Sequence, residues 1–148
     1  MTNTAYIIRG LPGSRKSTIA TELAKAALAD GRSAIIHTTD DYHMVDGEYI
    51  YKPEKASQYH ALNLKAFKKS CYKGINIVIY PNTNICGEQY KEYVDCAKSR
   101  EYLVHILIMD EFRTAVLGRR TQHKVPASIM HCMKRSFSIG TKYLFPEV

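Results

Sequence analysis

The sequence has 148 residues, of which 45% are apolar and 24% charged, ordinary proportions for a soluble globular protein and enough for one domain with a real core. No run approaches the roughly 18 apolar residues of a membrane span, and Met1-Thr2-Asn3-Thr4 is no charged leader before an apolar stretch, so secretion and membrane insertion are not expected. Lys plus Arg number 21 against 14 Asp plus Glu, a formal charge of +7 that favours polyanionic partners, nucleic acid or nucleotide foremost.

In chain order, Ala5–Arg9 is a short β-branched and aromatic run that ends at Gly10 and predicts a first strand. Thr18–Ala29, rich in Ala and Leu, predicts a helix closed by Asp30-Gly31. Ser33–Thr38 reads as a second strand. Asp46-Gly47 lies between two short β-prone runs and predicts a small hairpin. Pro53 opens a helix to about Lys73, with Tyr59, Leu62, Asn63, Ala66 and Phe67 on its inner side. Ile75–Tyr80 is a continuous apolar run, as expected of a strand buried on both faces. Gly87–Ser99 predicts a helix with Tyr90, Tyr93, Val94 and Ala97 inward, Tyr102–Met109 a fourth strand, and Phe112–Arg120 a further helix. Pro126 suits the first position of a last helix reaching Ser136.

Alternating strands and helices imply one α/β domain spanning residues 1–148, with a parallel sheet of about four strands and helices on both faces. The four cysteines (Cys71, Cys86, Cys96, Cys132) have no CxxC spacing and no zinc-like cluster, so they read as reduced thiols of a cytosol-like compartment.

Between the first strand and first helix lies Gly10-Leu11-Pro12-Gly13-Ser14-Arg15-Lys16-Ser17-Thr18. This is a phosphate-binding P-loop at every position but one, in the required strand–loop–helix context. Glycines let successive N–H groups point at phosphate oxygens, and the helix N-terminus adds partial positive charge. Lys16 would reach the β- and γ-phosphates of ATP, and Ser17 would ligate Mg²⁺. Arg15 stands where the motif has glycine. Its Cβ costs about 1–2 kcal/mol if the site needs a positive φ, whereas its guanidinium is itself a good phosphate ligand.

The loop is similar to the G-x-P-G-S-G-K-S-T of P-loop kinases in the polynucleotide 5′-hydroxyl kinase group. Four further stretches resemble that group in the same order. They are Thr38-Thr39-Asp40-Asp41-Tyr42, then Asp46-Gly47-Glu48-Tyr49 with Pro53-Glu54-Lys55, then Pro81-Asn82-Thr83-Asn84, and last Arg119-Arg120-Thr121-Gln122-His123-Lys124-Val125-Pro126. The resemblance spans roughly residues 5 to 136. It implies a P-loop NTPase-type sheet with a helical lid, and ATP- and Mg²⁺-dependent transfer of the γ-phosphoryl to a nucleic-acid 5′-hydroxyl. It also implies Asp40 as general base and Arg119 and Arg120 as phosphate clamps, with Arg120 at the nucleotide too. Asp41, Tyr42, His43, Asn82 and His123 fall to the substrate side.

Two departures bear on this reading besides Arg15. Pro81 stands where the group often has an aspartate that helps hold Mg²⁺, and His43 stands where one member of the group, a phage end-healing enzyme, has a phosphate-contacting arginine. A degenerate P-loop protein that binds without turnover, and a kinase for a small hydroxyl acceptor, therefore stay open beside the polynucleotide kinase. Lys65, Lys68, Lys69 and Lys73 form one basic helix face, open to a nucleic-acid backbone or to solvent. Tyr49 and Tyr51 on the hairpin are open to base stacking or to packing. His37 and His105 read as core or sheet-edge residues, and Tyr143, Leu144 and Phe145 as a terminal apolar patch.

Overall fold

The computed structural model describes residues 2–121 and 125–137. His123 and the Tyr143-Leu144-Phe145 patch lie outside the described residues. Four parallel strands form the main sheet: β1 (Thr4–Arg9), β2 (Ala34–Ile36), β5 (Ile77–Asn82) and β6 (Leu103–Ile108), in the order β2-β5-β1-β6. The central register pairs Ala5 with Val78 and with Val104. Helix α1 (Lys16–Ala29) packs on one face, where Ala20 and Ala27 meet Ile8, Ile77 and Ile79. Helices α2 (Ala56–Tyr72) and α3 (Lys91–Ser99) cover the other, around Phe67, Val78, Tyr80, Tyr93 and Ala97. Alternation along each strand sends successive side chains to opposite faces, which is why both faces of β1 and β5 are buried. The α/β class and the parallel four-stranded sheet expected from the sequence are both present.

Helix α4 (Thr114–Arg120) and helix α5 (Ala127–Ser136) form a third layer at the C-terminal ends of the strands. Leu117, Met130 and Phe137 bury themselves there against Leu11 of the P-loop. The expected hairpin is also present: β3 (Met44–Val45) pairs antiparallel with β4 (Glu48–Tyr49). Asp46 and Gly47 take φ of 51° and 82°, the paired left-handed conformations of a tight two-residue turn.

Several boundaries differ from the sequence expectation, each for a local reason. Helix α1 starts at Lys16 rather than Thr18, because Arg15 is the left-handed residue that turns the chain into it. Strand β2 is confined to Ala34–Ile36, since Ser33 is tied to the side chain of Asn76 and Thr38 caps the turn that follows. Strand β5 begins at Ile77, because Gly74 and Ile75 still donate to carbonyls of α2. It continues through Pro81 beyond the reach of β2, whose last paired residue is Ile36 opposite Ile79, so the missing N–H costs no bond to that strand.

Three helices are shorter than expected. Pro53–Lys55 and Gly87–Gln89 are separate 3-10 turns ahead of α2 and α3. Helix α4 starts at Thr114 because Glu111 holds the backbone and side chain of Arg113 before it. Leu62, expected inward, is 41% exposed, and the inner face of α2 runs instead through Asn63, Phe67, Ser70 and Cys71. His105 lies exposed on the edge strand β6, stacked on Tyr6, and His37 is buried just past β2.

Candidate functional site

A cleft of about 1760 Å³ opens at the C-terminal ends of the strands, between the P-loop, the hairpin, α2, α3 and the two lid helices. Strand ends in a parallel sheet leave a crevice there, because consecutive loops diverge to opposite faces. Pro12, Gly13, Arg15, Lys16, Ser17 and Thr18 form its floor. The P-loop backbone turns through two left-handed residues, Gly13 at φ 84° and Arg15 at φ 72°. The expected strain at Arg15 is therefore present: an L-residue occupies a conformation that disfavours its Cβ by about 1–2 kcal/mol. The Arg15 side chain is exposed and lies between the main cleft and a smaller one of about 360 Å³. Gly10 and Ser14 are buried and do not line the main cleft. A Cβ on Gly10 would run into the Ser14 hydroxyl and Met109, so Gly10 fits only as glycine.

Lys16 donates to the carbonyl of Leu11 at 3.0 Å. Burial pushes its pKa down to about 8, and the carboxylate of Asp40 opposes that shift. The two residues share the cleft, although 24 positions separate them in the chain. Asp40 is held in a 3-10 turn (Thr39–His43) that follows β2, where its backbone N–H donates to the Thr38 side chain at 3.3 Å. Thr39 in the same turn donates to Oδ1 of Asn82 at 3.1 Å, and Asn82 donates to the Tyr80 hydroxyl at 3.2 Å. The turn after β2 and the end of β5 are thereby locked together at the cleft.

The remaining residues singled out by the sequence divide. Arg120, His43 and Asn82 line the cleft, whereas Arg119, Asp41 and Tyr42 do not. Asp41 is exposed, with its pKa raised by partial burial and by the Asp40 charge. Tyr42 stacks on Tyr59 of α2, ring centroids 5.7 Å apart. His43 is buried to 4% exposure, its Nδ1 accepting from the Lys52 N–H at 3.2 Å and its ring packed by Tyr49, Tyr51 and Tyr59.

Sequence reasoning quoted Thr39 and Glu48 within motifs without giving them a role, and passed over the cleft-lining Glu88 and Glu92 and above all Arg9. The Arg9 guanidinium is wholly buried at the end of β1. It donates from Nε to the Asn84 carbonyl at 2.8 Å and from a terminal nitrogen to the Ile85 carbonyl at 3.0 Å. The rings of Tyr90 and Phe137 lie within 4.9 and 4.7 Å of it, and desolvation lowers its pKa. Asn84, left-handed at φ 48°, returns a bond to the Ile8 carbonyl. Arg9 thus fastens the loop after β5 and the end of α5 to the central strand. A charged residue closing an otherwise apolar strand was the available signal.

The arrangement of a parallel sheet ordered β2-β5-β1-β6, a P-loop after β1, and helices α4 and α5 after β6 is similar in fold to solved structures. A chain of the Pnkp1/Rnl/Hen1 RNA repair complex superposes with a TM-score of 0.71 at 16% identity, over 92% of this chain and 44% of that one. A gluconokinase from Sinorhizobium meliloti 1021 matches with a TM-score of 0.60 at 15% identity, covering 93% and 76%. The fold is that of a P-loop kinase. In sequence, human NEDD4-binding protein 2 is 33% identical over 122 residues, covering 80% of this chain. The chain spans 7% of the length of that relative. No protein-family model matches the chain. Among the described residues, no helix of this P-loop kinase fold is long and apolar enough to cross a membrane.

Proposed function

We propose that this P-loop kinase fold carries an ATP- and Mg²⁺-dependent phosphotransferase, and that its acceptor is the 5′-hydroxyl of a nucleic acid. The observation that carries the reading is the placement of Asp40 and Lys16 in one cleft, near enough for the Asp40 charge to act on the lysine. A hydroxyl is a poor nucleophile at neutral pH, so a carboxylate placed beside the phosphate-binding lysine supplies the base that the transfer needs. Similarity to a chain of an RNA repair complex and the excess of basic residues support the choice of acceptor.

In this reading the acceptor oxygen attacks the γ-phosphorus, the bond from that phosphorus to the ADP oxygen breaks, and the hydroxyl proton passes to Asp40. Lys16 and the P-loop N–H groups hold the β- and γ-phosphates, and Arg120 and Arg15 offset the charge spread over the transferring group. Mg²⁺ habitually takes one or two protein ligands besides phosphate oxygens and water. The Ser17 hydroxyl, exposed on the cleft floor, fits that need. Pro81 offers no ligand and Oδ1 of Asn82 accepts from Thr39 with one lone pair left over, so Ser17 would be the main protein ligand of the ion. When bound, the ion neutralises charge on the β- and γ-phosphate oxygens.

The test is transfer of labelled γ-phosphate from ATP to a 5′-hydroxyl oligonucleotide. Transfer by the protein, falling by about 10²–10⁴-fold in Asp40→Asn while ATP still binds, is the expected result. ATP binding with no transfer to any hydroxyl acceptor would favour a nucleotide-binding protein without turnover, the reading that Arg15 and Pro81 support.

A further inference from the structure

A charge divide runs through the cleft. Its lysine and arginine side chains, Arg15, Lys16 and Arg120, all come from the P-loop, the first turn of α1 and the end of α4. The opposite wall, built by the hairpin and the residues just after it, α2, and the start of α3 with the turn before it, carries Glu48, Glu88 and Glu92 together with the rings of Tyr49, Tyr51 and Tyr93. Among the described residues, that wall lends no lysine or arginine to the cleft. The basic face of α2 lies outside it, and Lys68 of that face reaches Glu92 only at 4.0 Å.

The aromatic part of this wall has one open member. Tyr51 packs on the buried His43 with centroids 5.0 Å apart and still leaves 57% of its surface exposed at the cleft. His43 accepts at Nδ1 from the Lys52 N–H, which ties its ring to the backbone beneath Tyr51. A wall of open π-surface and carboxylates suits a flat, uncharged group and repels a phosphate.

We infer that this wall holds the acceptor's terminal nucleoside by its base, stacked on Tyr51, and leaves the next phosphate outside the cleft. The inference rests on the nucleic-acid reading above and makes it more specific: recognition is of the base rather than of the backbone. A nucleoside with no 3′-phosphate then binds as well as the same nucleoside carrying one. The basic face of α2 adds affinity for longer strands only.

The experiment is calorimetric binding of adenosine and of adenosine 3′-monophosphate to the intact protein, with phosphate transfer followed in parallel. The two ligands are expected to bind within about threefold of each other. Tyr51→Ala is expected to weaken both by roughly 5- to 100-fold, the usual range for loss of one stacked base, while Tyr51→Phe binds like the original. Tyr72→Ala, which alters an exposed tyrosine outside the cleft, leaves binding unchanged. Glu88→Lys is expected to tighten the 3′-monophosphate selectively. Binding that requires the 3′-phosphate, no nucleoside binding, or indifference to Tyr51→Ala would overturn the inference. Tyr51-dependent nucleoside binding without transfer sinks the kinase activity but leaves this inference standing. Transfer to oligonucleotides without nucleoside binding does the reverse.

Discussion

The α-carbon of Gly13 lies so close to the carbonyl of Leu117 that a Cβ on it would overlap that oxygen. Gly13 is also left-handed, at φ 84°. The phosphate loop and the lid helix α4 therefore touch backbone to backbone, and Leu117 is wholly buried at the contact. Gly13→Ala is expected to cost about 2 kcal/mol or more, the left-handed penalty of about 1–2 kcal/mol plus the displacement of α4. Chemical denaturation measures it. An unchanged midpoint would mean that the loop and lid are not packed as described.

Arg15 has the opposite sign. It sits at φ 72° without the freedom of glycine, and its side chain is exposed. Arg15→Gly relieves that strain but adds backbone entropy to the unfolded chain, so the expected net gain is about 0.5–1 kcal/mol. A rise of roughly 2–4 °C in Tm would report it. If the variant also gains phosphate transfer, the arginine hinders the loop; if it loses ATP affinity, the guanidinium binds phosphate.

Lys16 predicts a pH dependence. Burial lowers its pKa from 10.5 to about 8. ATP favours the ammonium form, so above about pH 8 binding must take up a proton and affinity falls as pH rises. Calorimetry at pH 7 and pH 9 in buffers of different ionisation enthalpy should show the weaker affinity together with that proton uptake, and Lys16→Met should abolish both. Without nucleotide the unfolded chain holds the proton between about pH 8 and 10.5 and the folded one does not, so stability rises with pH in that window.

His37 gives an acid limb. Its Nε2 lies 2.8 Å from the Ser70 hydroxyl, and burial lowers its pKa from 6.5 to about 4. Between those values the unfolded chain binds a proton that the folded protein refuses, so stability falls as pH drops from 6.5 towards 4. Urea midpoints at pH 7 and pH 5 measure the fall. His37→Gln should flatten it whatever it does to stability at neutral pH, and an unaltered slope would remove His37 as the cause.

Much of the scaffold was legible in the sequence because the signals are local. The apolar runs of β1, β5 and β6, the Asp46-Gly47 turn and the P-loop between strand and helix each depend on neighbours in the chain. Boundaries were read less well where a side chain sets them, whether from far along the chain or from close by. Asn76 holds Ser33 beside β2, and Glu111 delays α4. Leu62 was misread because its spacing fits an inner stripe equally well, whereas α3 and the sheet select the stripe through Asn63 and Phe67.

The sequence by itself determined the class of fold, the phosphate-binding loop and the set of residue types available to a site. Only the tertiary structure decided which of them meet. Arg119 and Arg120 look equivalent as neighbours, but consecutive helical residues point roughly 100° apart, and Arg120 alone of the two lines the cleft. Net charge gave no hint that the cleft's lysine and arginines gather at the P-loop end, with Asp40 near Lys16, while Glu48, Glu88 and Glu92 line it from other segments, because composition carries no positions. Arg9 reads as the polar end of a strand, yet the packing of Tyr90 and Phe137 around it makes it a buried clamp. Local pattern follows from bonds along the chain, whereas these relationships follow from packing between segments far apart in it.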